Sequence, residues 1–212
     1  MTNSNKLFRN TVANFPEVSI PPLKADIAKE LNLKKTADLD SNENPMGTAP
    51  KNAIQNELGN LNRYPESGST VLRTAIAEHY GLEADNVIIS NGGDNIITTL
   101  MNSFINEGDE IVVCKPYFFV YTVESALLGA KFKEIEPLEN FTCNLEGMLN
   151  AITNKTKMVM ITNPNNPTAT IIGKKALADF IAKVPDHVLV VLDEAYAEFV
   201  GDQDYDEGLE YV

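Results

Sequence analysis

The chain has 212 residues, 43% hydrophobic and 22% charged, an ordinary soluble globular composition with enough length for one good-sized core or one and a half domains. Its formal net charge of −13 speaks against nucleic acid or an anionic membrane as a partner, because both need a basic face. Its two cysteines, Cys114 and Cys143, stand too far apart in sequence for a metal motif or a disulfide framework, and fit a reducing, cytoplasmic setting.

The polar start MTNSNKLFRN reads as an arm over residues 1–14 and lacks a signal-peptide core. No apolar run further on approaches membrane-spanning length. Residues 15–22 are too rich in proline for helix. A short amphipathic helix is predicted over 25–33, with Ile27, Leu31 and Leu33 on its apolar side. LDSNENPMGTAP, residues 39–50, reads as a turn from its Asn, Pro and Gly content. Helices follow over 53–61 and 71–80, separated by the Asn62-Arg63-Tyr64-Pro65 segment.

Val87 to Ser90 reads as a strand, then Asn91-Gly92-Gly93-Asp94-Asn95, then a helix over 96–104. Strand, glycines and helix is a phosphate-binding order, because free N–H groups at a helix start attract an anion. Gly-Gly alone is a weak signal, more often a tight turn. A strand over 110–114 leads into Lys115-Pro116-Tyr117-Phe118-Phe119-Val120-Tyr121, whose aromatics would ordinarily be core. A helix over 123–128, a strand over 131–135, a helix over 145–151 and a strand over 158–161 come next. The alternation of strand and helix predicts an α/β fold with a mostly parallel sheet.

Thr162-Asn163-Pro164-Asn165-Asn166-Pro167-Thr168 cannot be helical, since each proline biases its predecessor away from the α region. A helix over 174–183 places Leu177, Phe180, Ile181 and Val184 at helical spacing. Val188 to Leu192 is an unbroken apolar run, as for a strand buried on both faces. Asp193-Glu194 follows at the carboxyl end, where open α/β sheets bind ligands. A carboxylate there is costly without a partner. A lone Asp would simply cap the next helix. Asn166, Asp193 and Tyr196, however, would close two strands of one βαβ unit on one sheet edge. An amide, a carboxylate and a phenol suit a flat, polar heteroaromatic ligand.

On the N-P-N-N-P-T-x-T loop and the strand-D-E-A-Y-x-x-F segment, the chain resembles the fold-type I pyridoxal-phosphate (PLP) aminotransferases, and within them the histidinol-phosphate aminotransferase group. The resemblance runs from about Leu39 to Phe199. It implies the fold-type I architecture, a mostly parallel sheet flanked by helices with part of a small domain. Residues 1–48 would be an arm and the start of the small domain, and 49–212 the N-terminal part of the large one. It implies PLP as cofactor, an amino donor, a 2-oxo acid acceptor, and no metal. Asp193 would pair with the pyridine nitrogen, and Asn166 and Tyr196 with the ring's phenolic oxygen. Phe118, in the place of the central aromatic of P-T-[YF]-x-x-Y, would stack on the ring, with Tyr117 replacing the usual Thr. Gly92, Gly93 and Asp94 would hold the phosphate, where Asn95 departs from the usual Glu or Gln. Tyr64 of the R-Y-P segment would reach a neighbouring subunit's phosphate, which implies a homodimer. Asn42, in L-x-x-N-E-N-P-x-G, would lie nearest the substrate.

The resemblance has one large departure. After Tyr196 no segment carries the cofactor-anchoring lysine or the carboxylate-binding arginine, and Lys174 and Lys175 open a helix and do not fit. The expectation is histidinol-phosphate:2-oxoglutarate amino transfer by a longer form, with the 212-residue chain inactive alone. Two alternatives stand beside it: another fold-type I enzyme, an aromatic or aspartate-type aminotransferase or a decarboxylase, and an inactive cofactor-binding fragment. A Rossmann dinucleotide protein is disfavoured, because no G-x-G-x-x-G follows the first strand.

Overall fold

The computed structural model describes residues 7–15, 24–37, 39, 41–48 and 50–212. Residues 1–6 of the expected arm and 16–22 of the proline-rich stretch lie outside them. The chain divides into two compact units, Met1–Phe15 with Arg73–Val212, and Pro16–Leu72. The helices are α1 (Asn10–Ala13), α2 (Lys24–Glu30), α3 (Lys51–Glu57) and α4 (Thr70–Tyr80), then α5 (Gly92–Phe104), α6 (Val120–Leu128), α7 (Leu145–Ala151) and α8 (Lys174–Ile181). The strands are β1 (Glu110–Cys114), β2 (Lys131–Ile135), β3 (Thr156–Thr162) and β4 (Leu189–Asp193).

In the larger unit the four strands form one parallel sheet in the order β2-β1-β3-β4. Side chains of a strand alternate between its faces, and here both faces are covered. Ile111, Val113, Met158 and Met160 point to one side, against Ile97 and Met101 of α5 and Val120 and Tyr121 of α6. Val112, Val159 and Ile161 point to the other, against Met148 of α7 and Leu177 and Phe180 of α8. β1 and β3 are central, and their apolar runs are buried throughout all but their ends. Each such side chain contributes about 1.5–3 kcal/mol by leaving water. Gly129 ends α6 at φ 75°, the left-handed cap that a side chain resists.

The structure corrects three expectations. Val188 to Leu192 was expected to be buried on both faces, but β4 is the edge of the sheet and is half-buried along its length. Hydrophobic content alone does not distinguish an edge strand from a central one. Residues 87–90 form no strand. Val87 is buried with extended angles and Ile88 is 72% exposed, so the alternation is present. What is missing among the described residues is a neighbour to hydrogen-bond with. α5 begins at Gly92, four residues before the expected start, because the glycines themselves enter the helix.

In the smaller unit no described residue is buried. The side of α2 expected to be apolar is exposed at Ile27, Leu31 and Leu33. A helix of seven residues has, among the described residues, no buried core to face. Glu66 organises the entry to α4, its carboxylate accepting from the Gly68 N–H at 3.1 Å, the Thr70 N–H at 2.5 Å and the Thr70 hydroxyl at 2.8 Å.

Candidate active site at the carboxyl ends of the strands

β1, β3 and β4 run parallel and end on one edge of the sheet. Asp193 is the last residue of β4, with its backbone in register with Thr162 of β3. Its Oδ2 accepts a hydrogen bond from the Tyr121 hydroxyl at 2.5 Å, and the Thr162 hydroxyl lies 3.0 Å from the same phenol oxygen. Its Oδ1 accepts from the Ala195 N–H at 3.3 Å. Tyr121 has no exposed surface. Burial, and then the charge of Asp193, push its phenol well above the ordinary tyrosine range. The Tyr121 phenol is the donor of this bond and Asp193 its acceptor. Glu194, just past the strand, turns to different partners. It accepts from the Gly208 N–H at 3.0 and 3.2 Å and from the Tyr205 hydroxyl at 3.4 Å, and burial raises its carboxyl above the usual range.

The loop after β3 separates its three asparagines by role. Asn163 is fully buried. Its Oδ1 accepts from the Ile172 N–H at 2.8 Å and its Nδ2 donates to the Ile172 carbonyl at 3.4 Å. Its own N–H donates to the Asp193 carbonyl at 2.9 Å. Asn165 donates through Nδ2 to the Pro116 carbonyl at 3.0 Å and the Thr168 hydroxyl at 2.8 Å, joining this loop to the one after β1. Asn166 is half-buried, and among the described residues its amide has no hydrogen-bond partner. A half-buried amide without a partner carries a desolvation cost that a polar ligand would relieve.

The loop after β1 carries Phe118, half-buried, its ring edge-to-face with Tyr121 at 6.0 Å between centroids and an interplanar angle of 89°. Tyr196, three residues past β4, is half-buried, with its ring 6.4 Å from that of Phe199. Gly92, Gly93 and Asp94 form the first turn of α5, whose leading N–H groups have no acceptor within the helix. Gly92 has φ 79°, and open space surrounds the position of a Cβ at either glycine. α5 packs on α6, where the Thr98 hydroxyl donates to Glu124 at 2.9 Å. The structure thus places Asp193 at the end of β4 and Phe118, Asn166 and Tyr196 on the segments that follow β1, β3 and β4, with the glycine turn on the helix packed with Tyr121 in one core. Asn42 and Tyr64 belong to the smaller unit, Asn42 exposed with φ 50° and Tyr64 fully exposed.

Sequence reasoning gave no role to Tyr121 or Thr162. A signal for Tyr121 was present: a tyrosine in an apolar helix start must bury its hydroxyl and so needs a polar partner. Beneath the two loops is a cavity of about 20 Å³, lined among others by Cys114, Tyr117, Cys143, Thr162 and Asn165. It holds about one water, so a larger ligand would sit above it on the open edge. Among the described residues no cluster of His, Cys, Asp or Glu is arranged to hold a metal, and no helix is long and apolar enough to cross a membrane.

Comparison with known proteins places this arrangement. Residues 34–209 match the family described as aminotransferase class I and II. A histidinol-phosphate aminotransferase of Moorella thermoacetica is 40% identical over 199 residues, 93% of this chain and 51% of its own length. Histidinol-phosphate aminotransferase 1 of Mannheimia succiniciproducens is 41% identical over 181 residues, 84% of this chain and 49% of its own. The chain spans about half the length of the curated relatives it matches. Among solved structures, histidinol-phosphate aminotransferase of Sinorhizobium meliloti in complex with pyridoxal-5'-phosphate superposes with a TM-score of 0.83 at 24% identity. It covers 93% of this chain and 53% of its own, a likeness of fold. Aspartate aminotransferase of Thermus thermophilus with maleate gives 0.62 at 26% identity, covering 67% of this chain and 40% of its own. With a parallel sheet flanked by helices and a family match over residues 34–209, the chain belongs to the class I and II aminotransferases.

Proposed function

We propose that the chain carries the cofactor cradle of a PLP-dependent aminotransferase, and that the reaction it serves is amino transfer from L-histidinol phosphate to 2-oxoglutarate in histidine biosynthesis. The observation that carries the substrate assignment is identity of about 40% over most of the chain with proteins named histidinol-phosphate aminotransferase. The fit to PLP rests on this chain's own chemistry. The uncommitted Asn166 amide and the fixed Asp193 acceptor are the groups that a ring with a phenolic oxygen and a protonated nitrogen needs.

When bound, PLP supplies an electron sink that the protein tunes. Asp193 holds the proton at the ring nitrogen, and Tyr121 and the Ala195 N–H hold Asp193 in position. Asn166 and Tyr196 hydrogen-bond the phenolic oxygen, and Phe118 covers the ring face. Gly92, Gly93 and Asp94 offer backbone N–H groups to the phosphate at the start of α5. Tyr64 completes the phosphate site of the neighbouring subunit in a homodimer, and Asn42 approaches the substrate. On this reading residues 49–212 belong to the large domain and 1–48 to the arm and the start of the small one. The setting is cytoplasmic.

The test is amino transfer by the natural protein containing this chain, with glutamate formation followed for several donors. L-Histidinol phosphate should exceed aspartate, tyrosine and phenylalanine in kcat/KM by at least about tenfold, a difference of 1.4 kcal/mol. A preference for aspartate or an aromatic amino acid would overturn the substrate assignment.

A further inference from the structure

The fold brings Cys114 and Cys143 together. Cys114 closes β1, and Cys143 stands two residues before α7. In the reduced chain the Cys114 thiol donates to the Lys115 carbonyl at 3.6 Å. The Asn144 N–H donates to the same sulfur at 3.3 Å. That nitrogen is bonded to the carbonyl carbon of Cys143, so the contact also fixes the Cys143 backbone beside Cys114. The Cys143 thiol donates to Met148 Sδ at 3.5 Å. Both cysteines are free thiols, both are half-buried, and both line the cavity of about 20 Å³ beneath the loops.

The two sulfurs are electronically unlike. The neighbouring Cys143 thiol and the Asn144 N–H, which donates to the Cys114 sulfur, favour a thiolate at Cys114 and bring that thiol down to about 7 against the opposing effects of burial and Glu136. Cys143, beside Cys114 and buried, is pushed far above the ordinary thiol range and stays protonated. A low-pKa thiolate with a second thiol beside it is the pairing of an oxidisable cysteine with a resolving one. The cofactor cradle uses neither.

We propose that Cys114 and Cys143 form a reversible dithiol–disulfide couple, oxidised by hydrogen peroxide and tying the end of β1 to the segment that enters α7. The Cys114 thiolate attacks one peroxide oxygen. The O–O bond breaks, and the leaving hydroxide takes a proton to become water, while Cys114 becomes a sulfenic acid. The Cys143 sulfur then attacks the Cys114 sulfur and the S–O bond breaks. A second water leaves, carrying the Cys143 proton. Two thiols and one peroxide thus give one disulfide and two waters. A small dithiol reverses the change by exchange.

The experiment uses the 212-residue chain, reduced with dithiothreitol, freed of reductant and treated with hydrogen peroxide at neutral pH. Free thiols are then alkylated in denaturant. The oxidised chain should be about 2 Da lighter than the reduced one, both thiols lost as one disulfide. Proteolysis should release a peptide joining Cys114 to Cys143, and dithiothreitol should return both thiols. Iodoacetamide should label Cys114 first, with a rate that is half-maximal near pH 7. In Cys143→Ser, peroxide should leave Cys114 as a sulfenic acid trapped by dimedone. In Cys114→Ser, Cys143 should oxidise at least about tenfold more slowly than Cys114 does in the parent. Sulfinic acid accumulating at Cys114 of the parent chain, linkage only between chains, or equal rates at the two cysteines would each overturn the proposal. If a serine variant does not fold, the mass and peptide map of the parent chain decide alone.

Discussion

Asn163, Asn165 and Asn166 are chemically alike, and the prolines between them say only that the loop is not helical. The fold distinguishes them by where each amide finds its partners. Asn163→Ala removes the acceptor of the buried Ile172 N–H and the donor to its carbonyl. It should destabilise the chain by about 2–3 kcal/mol, since buried partners are left unpaired. Asn166→Ala should move stability by no more than about 0.5 kcal/mol, because no hydrogen bond is lost. Urea unfolding of the two variants measures the contrast. PLP affinity, read from cofactor absorbance, should fall in Asn166→Ala. Equal destabilisation in both would mean that Asn166 also serves the fold. The sequence alone offers three candidates in that loop. Resemblance points to Asn166, and geometry shows why the other two are occupied. Tyr121 went without a role because its partner Asp193 is 72 residues away in sequence, and no local spacing encodes such a pair.

At the scale of strands and helices, most of the sheet is legible because each strand is a short apolar run between turn signals. The limits 110–114, 131–135 and 145–151 read from the sequence are those of β1, β2 and α7. Residues 87–90 carry the same alternation but form no ladder, because strand formation depends on a neighbour that local sequence does not specify. The position of β4 at the edge escapes notice for the same reason. The other end of the sheet carries a charged tie between β1 and β2. Lys133 Nζ lies 2.8 Å from Glu110, and the Thr153 hydroxyl donates to the same carboxylate at 2.5 Å. These bonds, first Lys133 and then Thr153, hold the Glu110 carboxyl below its ordinary value against burial. Folded Glu110 thus binds a proton less readily than unfolded Glu110. Its contribution is complete above the ordinary glutamate range and is lost as pH falls below it. Urea midpoints of the parent should fall on acidification through that range more steeply than those of Glu110→Gln. Parallel curves would remove Glu110 from the account.

For the molecule as a whole, large apolar side chains stand exposed at Leu61 (76%), Tyr64 (101%) and Val71 (85%). The proposed homodimer would cover Tyr64. Sedimentation of the natural protein containing this chain should give a dimer. Tyr64→Phe should weaken PLP retention through the lost hydroxyl and leave the dimer intact. A monomer with full activity would end the role of Tyr64 across an interface.

The sequence contains no tryptophan and seven tyrosines. Ultraviolet emission of the chain therefore comes from phenols, and one of them, Tyr121, donates a hydrogen bond to the carboxylate at the centre of the candidate site. A phenol bonded to a carboxylate is quenched. Any ligand that draws Asp193 away from Tyr121 should brighten the intrinsic fluorescence, and Tyr121→Phe should abolish that change. The pairing that fixes Asp193 thus gives the site an optical reporter of its own, readable in a cuvette without a label.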